Sequence, residues 1–276
     1  VVIGGEAVDL PDQATTDGFI FKGNLTFTPT DNLLFYVTYS EGFRSPLLNR
    51  PAGAGGIVPG MVDTDELTNY EAGWKMNLFE NTLQINGNAF IMDIDRLQTT
   101  IFDPNIVNLF FSDNAANAQV KGVEGDVIWA PYQVEGLTVA GAFSVLDTEI
   151  KEILTATTAI APVGSDLAHA PTFQGNLRVR YEWNVGDDMT AHVMPQVTYS
   201  GSSWSDIVAI NRAKQDAYML MNVSAGIAKD NWRLDLFADN LTNKRADLNN
   251  FFGYDRNRIT INRPRTYGMR VTVDFE

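Results

Sequence analysis

"TYGMRVTVDFE", residues 266–276, alternates without a break. Tyr267, Met269, Val271, Val273 and Phe275 are apolar, and Thr266, Gly268, Arg270, Thr272 and Asp274 between them are small, polar or charged. Successive side chains of an extended strand point to opposite faces, so one face here is wholly apolar and the other suits water. A strand of this kind separates two solvents.

The pattern recurs upstream. In "FQGNLRVRYEW" (173–183) Phe173, Leu177, Val179, Tyr181 and Trp183 share one face, opposite Gln174, Asn176, Arg178, Arg180 and Glu182. In "FIFKGNLTFTP" (19–29) Phe19, Phe21, Leu25 and Phe27 oppose Lys22, Asn24, Thr26 and Thr28, and in "NYEAGWKMNLF" (69–79) Tyr70, Ala72, Trp74, Met76 and Leu78 oppose Glu71, Lys75 and Asn77. Read this way, the chain predicts about eleven strands, near 19–28, 33–41, 67–78, 83–99, 117–129, 137–149, 172–183, 189–200, 217–228, 232–241 and 264–275. No segment with a helical period competes.

The connections alternate. "PTDN", "FENT", "PYQVEG", "NVGDD" and "DN" are short, whereas those around 42–66, 100–116, 150–171, 201–216 and 242–263 are long. Outer-membrane barrels have short periplasmic turns and long external loops, and a soluble sandwich has no reason to obey that rule. Trp74, Trp129, Tyr132, Trp183, Tyr199 and Trp232 lie at or near strand ends, where membrane interfaces collect Trp and Tyr. The expected fold is all-β, an antiparallel up-and-down transmembrane barrel. With short turns inside, an odd strand count puts the start of the first strand outside, so residues 1–18 read as the end of an external loop and 19–276 as barrel wall.

Composition narrows the function. The 276 residues carry a net charge of −14, with 34 acidic against 20 basic side chains, which argues against nucleic acid as a partner. There is no cysteine, hence no disulfide framework, thiolate metal site or cysteine nucleophile. No stretch approaches a membrane helix, and "VVIGGEAVDLPDQ" lacks the regions of a signal peptide.

Several stretches resemble the TonB-dependent outer-membrane receptors, in the second half of their 22-stranded barrel: "NLLFYVTYSEGFRSP" (32–46), "ELTNYEAGWKMNLFENTLQINGNAFIMDIDRLQ" (66–98), "NAQVKGVEGDVIWAP" (117–131), "LFADNLTNK" (236–244) and "NRPRTYGMRVTVDF" (262–275). The resemblance implies residence in the outer membrane of a Gram-negative bacterium, amid lipid and lipopolysaccharide. It also implies active import of a scarce small molecule, such as a ferric siderophore, an oligosaccharide or cobalamin. In that family an N-terminal plug inside the barrel is pulled by the TonB complex, and neither the plug nor the TonB-contacting segment lies in this sequence. The closing Tyr267, Val271, Val273 and Phe275 match the signal read by the barrel-assembly machinery, although Glu276 follows the aromatic residue. Two readings outside that family's mechanism are a passive pore and an adhesive surface barrel.

Chemistry is sparse. His169 and His192 have no second ligand at metal spacing, no metal site or cofactor is expected, and no nucleophile, base and orienting group occur together, so an enzyme is not expected. Asp93 and Asp95 in "MDIDR" share a strand face, and they read as charges above the membrane edge. "PAGAGGIVPG" (51–60) lacks the Lys-Ser/Thr of a phosphate loop and reads as an external loop. The ligand-binding candidates are in loops: Trp204 of "GSSWSD", and Phe251, Phe252, Tyr254, Arg256 and Arg258 of "FFGYDRNRITINRPR" (251–265). Arginines pair with carboxylate or catecholate oxygens, and aromatic rings stack on flat ligands. Under the strand assignment Arg44, Glu71, Lys75, Glu124, Arg178, Arg180, Arg233 and Arg270 face the lumen, where mixed charge can meet a plug or pair across strands.

Overall fold

The computed structural model of the chain describes residues 2–3, 6–7, 13–49, 58–103, 109–155, 160–253 and 256–275. Eleven strands form one antiparallel sheet: β1 Lys22–Thr30, β2 Leu33–Arg44, β3 Asp65–Leu78, β4 Leu83–Asp103, β5 Leu109–Trp129, β6 Leu137–Ile153, β7 Phe173–Val185, β8 Met189–Ser200, β9 Tyr218–Lys229, β10 Trp232–Asp239 and β11 Thr266–Val273. Each strand pairs with its neighbours in sequence, so the sheet is a meander with no crossover. Its edges are β1 and β11, which do not pair with one another, and the sheet stays open.

Register carries the two-faced pattern through the sheet. Trp232, Leu234, Leu236 and Ala238 stand opposite Val273, Val271, Met269 and Tyr267, while Arg233 meets Thr272 and Asp235 meets Arg270. The same parity links Phe35 to Trp74, Ile85 to Val127, Leu177 to Val197 and Ile227 to Leu234. Because the side-chain period is two, one slipped residue would move arginines onto the apolar face. That face has no second layer over it: Met269 is 71% exposed and Leu25 71%. Among the described residues no helix is long and apolar enough to cross a membrane, and the only helical turn is Ala209–Asn211.

Two connections differ from the sequence expectation. Residues 100–103 and 109–116 are strand rather than loop, because β4 and β5 each run 21 residues, about twice the roughly 9–11 that a tilted membrane strand needs. They form a tall hairpin, paired as far as Asp103 and Leu109. The connection after β10 folds into its own ribbon, Asp247–Gly253 against Arg256–Ile261. Smaller ribbons pair Ser203–Trp204 with Lys214–Gln215, Leu47–Leu48 with Met61–Val62, and Val2–Ile3 with Glu6–Ala7. The short connections 31–32, 79–82, 130–136, 186–188 and 230–231 all lie at the opposite end of the sheet.

The well-packed core sits among these connections rather than along the sheet. Ile101, Phe111, Ala115 and Ala116 of the tall hairpin, Ile150 of β6, and Ile160, Ala161, Ile207 and Val208 of the adjoining loops bury one another. Inside the sheet there is no apolar partner layer, so only protruding strands and loops can exclude water together. Replacing Ile150 by Ala removes a fully buried side chain and is expected to weaken this cluster by about 2–5 kcal/mol. Hydrogen exchange should show it as lost amide protection in 150–170 with the sheet below unchanged.

Candidate functional site

Two regions collect functional side chains: the polar face of the sheet and the roof of loops at its long-connection end. On the polar face, register puts Arg44, Glu71, Lys75, Glu124, Arg178, Arg180, Arg233 and Arg270 on one side. Their environments differ. Arg44 is committed to Asp65, donating from Nε over 2.7 Å, and Asp65 is itself buried. Tyr36 donates to Glu71 at 2.5 Å, Ser144 donates to Glu124 at 3.1 Å, and Asn86 donates to Asp126 at 3.0 Å. A trough of about 680 Å³ runs over this part of the face, walled by Lys75, Asn86, Glu124, Asp126, Gln174 and Asn176 among others.

Toward the short turns the face is more densely charged. Glu182, His192, Gly226, Asp235 and Arg270 form one cross-strand row from β7 to β11. Arg180 donates to Glu182 at 2.5 Å, and His192 Nε2 lies 3.4 Å from Asp235 Oδ1. The strand between those two partners carries Gly226, where a Cβ would stand 2.3 Å from the Asp235 carboxylate and 2.7 Å from the imidazole. Only glycine leaves room for that approach. Sequence spacing gave His192 no carboxylate; sheet pairing supplies one and buries the ring. Among the described residues no group of three or more His, Asp or Glu side chains is placed to hold a metal.

In the roof, Trp204 is half-buried rather than free in a loop, with the Arg212 guanidinium 4.6 Å from its ring centre. Arg212 also donates to the Asp166 carbonyl at 3.0 Å, tying two loops together. Asn211 reaches across to donate to the Phe102 carbonyl at 2.9 Å. Phe251 stacks on Phe110, with ring centres 5.8 Å apart, and Phe110 packs against Phe102 at 4.7 Å. This contact joins the ribbon between β10 and β11 to the tip of the β4–β5 hairpin. Neither Phe110 nor Phe102 stood out in the sequence, since nothing local signals which loops meet.

The ribbon gathers part of the predicted set. Phe251 pairs with Arg258 and Gly253 with Arg256, so Phe251, Arg256 and Arg258 share one face of it. Both arginines are exposed, and neither is ion-paired to a described carboxylate. The side chain of Phe252, and Tyr254 and Glu276 altogether, lie outside the described residues, as does most of 51–60. Trp204 is not on that face; its ribbon neighbours the other through Gln215, which donates to the Asp247 carbonyl at 3.4 Å.

The chain matches the family model "TonB dependent receptor-like, beta-barrel" over residues 5–241, and it belongs to that family. Among solved structures it is similar to the ferric yersiniabactin uptake receptor FyuA of Yersinia pestis, with TM-score 0.73, 16% identity, 92% of this chain and 37% of that one covered. It is also similar to the siderophore receptor PiuA of Acinetobacter baumannii, with TM-score 0.68, 19% identity and 91% and 35% coverage. The ferripyoverdine receptor of the Pseudomonas aeruginosa outer membrane gives TM-score 0.66, 18% identity and 95% and 33% coverage. At such identities the likeness is one of fold. The chain spans about a third of the length of the structures it matches.

One roof residue has a perturbed titration. Burial pushes the Asp206 carboxyl above its usual range, partly opposed by hydrogen bonds from the Val208 and Ile207 amides. A carboxyl whose folded pKa is raised opposes folding where it is ionised, so the penalty is absent at acid pH and complete once pH exceeds the folded pKa. Asp206→Asn is therefore expected to increase protection of 201–217 at neutral pH. The gain over wild type should vanish as pH falls below the ordinary Asp range, about 4, which hydrogen exchange at two pH values would check.

Proposed function

We propose that the chain is wall of an outer-membrane receptor that binds a ferric siderophore from outside the cell and imports it with TonB energy. The observation that carries this reading is the sheet's division into an exposed face that is apolar from the short turns up to the level of Glu66, Asp93 and Lys121 and a charged face opposite, topped by a loop roof that carries unpaired arginines. An open sheet leaves unsatisfied backbone groups at β1 and β11, which a bilayer does not tolerate. In the receptor further strands pair with both edges and close the barrel. The apolar face then meets lipid, and the charged face becomes the lumen.

In that setting the lumen residues Glu71, Lys75, Glu124, Arg178, Arg180, Arg233 and Arg270 offer polar contacts to a plug of the same receptor, through which TonB would act. A charged, hydrogen-bonded contact can be broken and remade in water more readily than an apolar one, which suits a plug that must move. Arg44 contributes less, because Asp65 already neutralises it. Tyr267, Val271 and Val273 lie on the apolar face of the final strand, and Phe275 beyond it is 90% exposed, available to the assembly machinery.

Siderophore binding is supported by the names of the similar structures and by the chemistry of the 247–261 ribbon. Arg256 and Arg258 present guanidinium groups to an anionic chelate, next to Phe251, whose ring is held by Phe110. Hydrogen bonds to charged groups contribute about 1.5–3 kcal/mol each, so replacing both arginines by Ala in the intact receptor should weaken ferric siderophore binding roughly a hundredfold or more. Unchanged affinity in a titration would remove the ribbon from the site. The plugged receptor should also be nearly silent in a planar bilayer; steady conductance from the purified receptor would favour a passive pore instead.

A further inference from the structure

The ribbon that carries Arg256 and Arg258 is a two-stranded hairpin standing off the sheet, and a hairpin of that kind is at best marginally stable by itself. Strand pairing does not connect its root to the wall: β10 ends at Asp239 and the ribbon starts at Asp247, and the ribbon ends at Ile261 and β11 starts at Thr266. Its attachments at Phe251, stacked on Phe110, and at the Asp247 carbonyl, bonded by Gln215, both fall on the first strand. The arginines are on the second.

Side-chain amides set the direction of the root. Asn240, only 4% exposed, donates from Nδ2 to the Lys244 carbonyl at 2.9 Å and to the Arg263 carbonyl at 3.0 Å. Asn262 donates from its own Nδ2 to the same two carbonyls, each at 3.0 Å. One carbonyl belongs to the chain leaving the sheet and the other to the chain returning, so the two amides clamp both legs together. The clamp is joined to the wall as well. The backbone N–H of Asn240 donates to Asn222 Oδ1 of β9 at 2.8 Å, while Asn240 Oδ1 accepts from the Lys244 amide at 2.9 Å. Asn240 has a left-handed φ of +51°, which asparagine tolerates better than most residues.

We propose that Asn240 is a positioning residue for the ligand: it fixes the root of the ribbon and so sets where Arg256 and Arg258 meet an anionic iron chelate. The inference rests on the siderophore reading above, with the ribbon as its site. Arg256 lies six positions before Asn262. That is about 20 Å of strand, so a tilt of about 10° at the clamp would carry the arginines roughly 3 Å, the length of a hydrogen bond. Aspartate, of equal size, would turn the two donated bonds of Asn240 into contacts between oxygens.

The test uses the intact receptor, titrated with ferric tris-catecholate, ferric citrate and ferripyoverdine, the tightest of the three serving as probe. Asn240→Asp should weaken probe binding about tenfold. Pulsed electron paramagnetic resonance between spin labels at Asn257 and Ala209 should show one narrow distance become broad. In a receptor already carrying Arg256→Ala and Arg258→Ala, the same substitution should cost no further affinity, because Asn240 acts through those side chains. Asn240→Gly, which accepts the left-handed φ and removes the amide, should reproduce the pattern and replaces the aspartate variant if that one fails to assemble. Unchanged affinity overturns the proposal, as does an equal loss with and without the two arginines, which would mark Asn240 as structural alone. The reading beneath it fails separately, through full affinity in the double arginine variant or through binding of none of the three chelates.

Discussion

Everything in this structure follows from the need to pair backbone amides and carbonyls between two solvents. A strand meeting hydrocarbon on one side has no water there to bond its backbone, so each must be bonded by its neighbours. The eleven-stranded meander satisfies this without a crossover, each strand binding the next in sequence. Side chains are then free to divide by parity alone. The apolar face needs no partner layer, because the membrane would replace it.

That division explains where tight packing occurs. Along the sheet, one face is exposed and the other lines a polar trough, so few residues are fully buried. Above it, the tall β4–β5 hairpin and the loops after β6 and β8 enclose a small core around Ile101 and Ile150. The roof therefore behaves as a packed unit carried by the sheet, and polar links such as Asn211 to Phe102 and Arg212 to Asp166 hold loops that are distant in sequence. In the receptor proposed above, such a roof would present its arginines on a packed support, which would limit the ordering cost of binding.

Charge is distributed with the same logic. On the polar face several cations lie near anions: Arg44 with Asp65, Arg180 with Glu182, and Arg270 opposite Asp235. Lys75, Arg178 and Arg233 on that face, and at the rim Arg256 and Arg258 on the ribbon and Lys244 and Arg245 beside Tyr199, have no ion pair to a described carboxylate. Both rim pairs lie on one connection, between β10 and β11, which makes that segment the most informative place to mutate.

The sequence by itself determined the strands, their faces and the order of short and long connections. A period of two and the chemistry of Phe, Val and Arg are local properties, legible from "TYGMRVTVDFE" onward. It also singled out Phe251, Arg256 and Arg258, because aromatic and guanidinium groups crowd one loop. It did not reveal that 100–103 and 109–116 are strand, since "IFDPNIVNLFFSDN" alternates poorly and only the partner strand and the roof core stabilise those residues. Nor did it reveal the pairing of His192 with Asp235, the seat of Trp204 under Arg212, or the stack of Phe251 on Phe110. The first and last join residues far apart in the chain, and even Trp204 and Arg212, close in sequence, meet only because their loop folds back on itself as a ribbon, so the registered sheet and the folded loops bring all of them within reach.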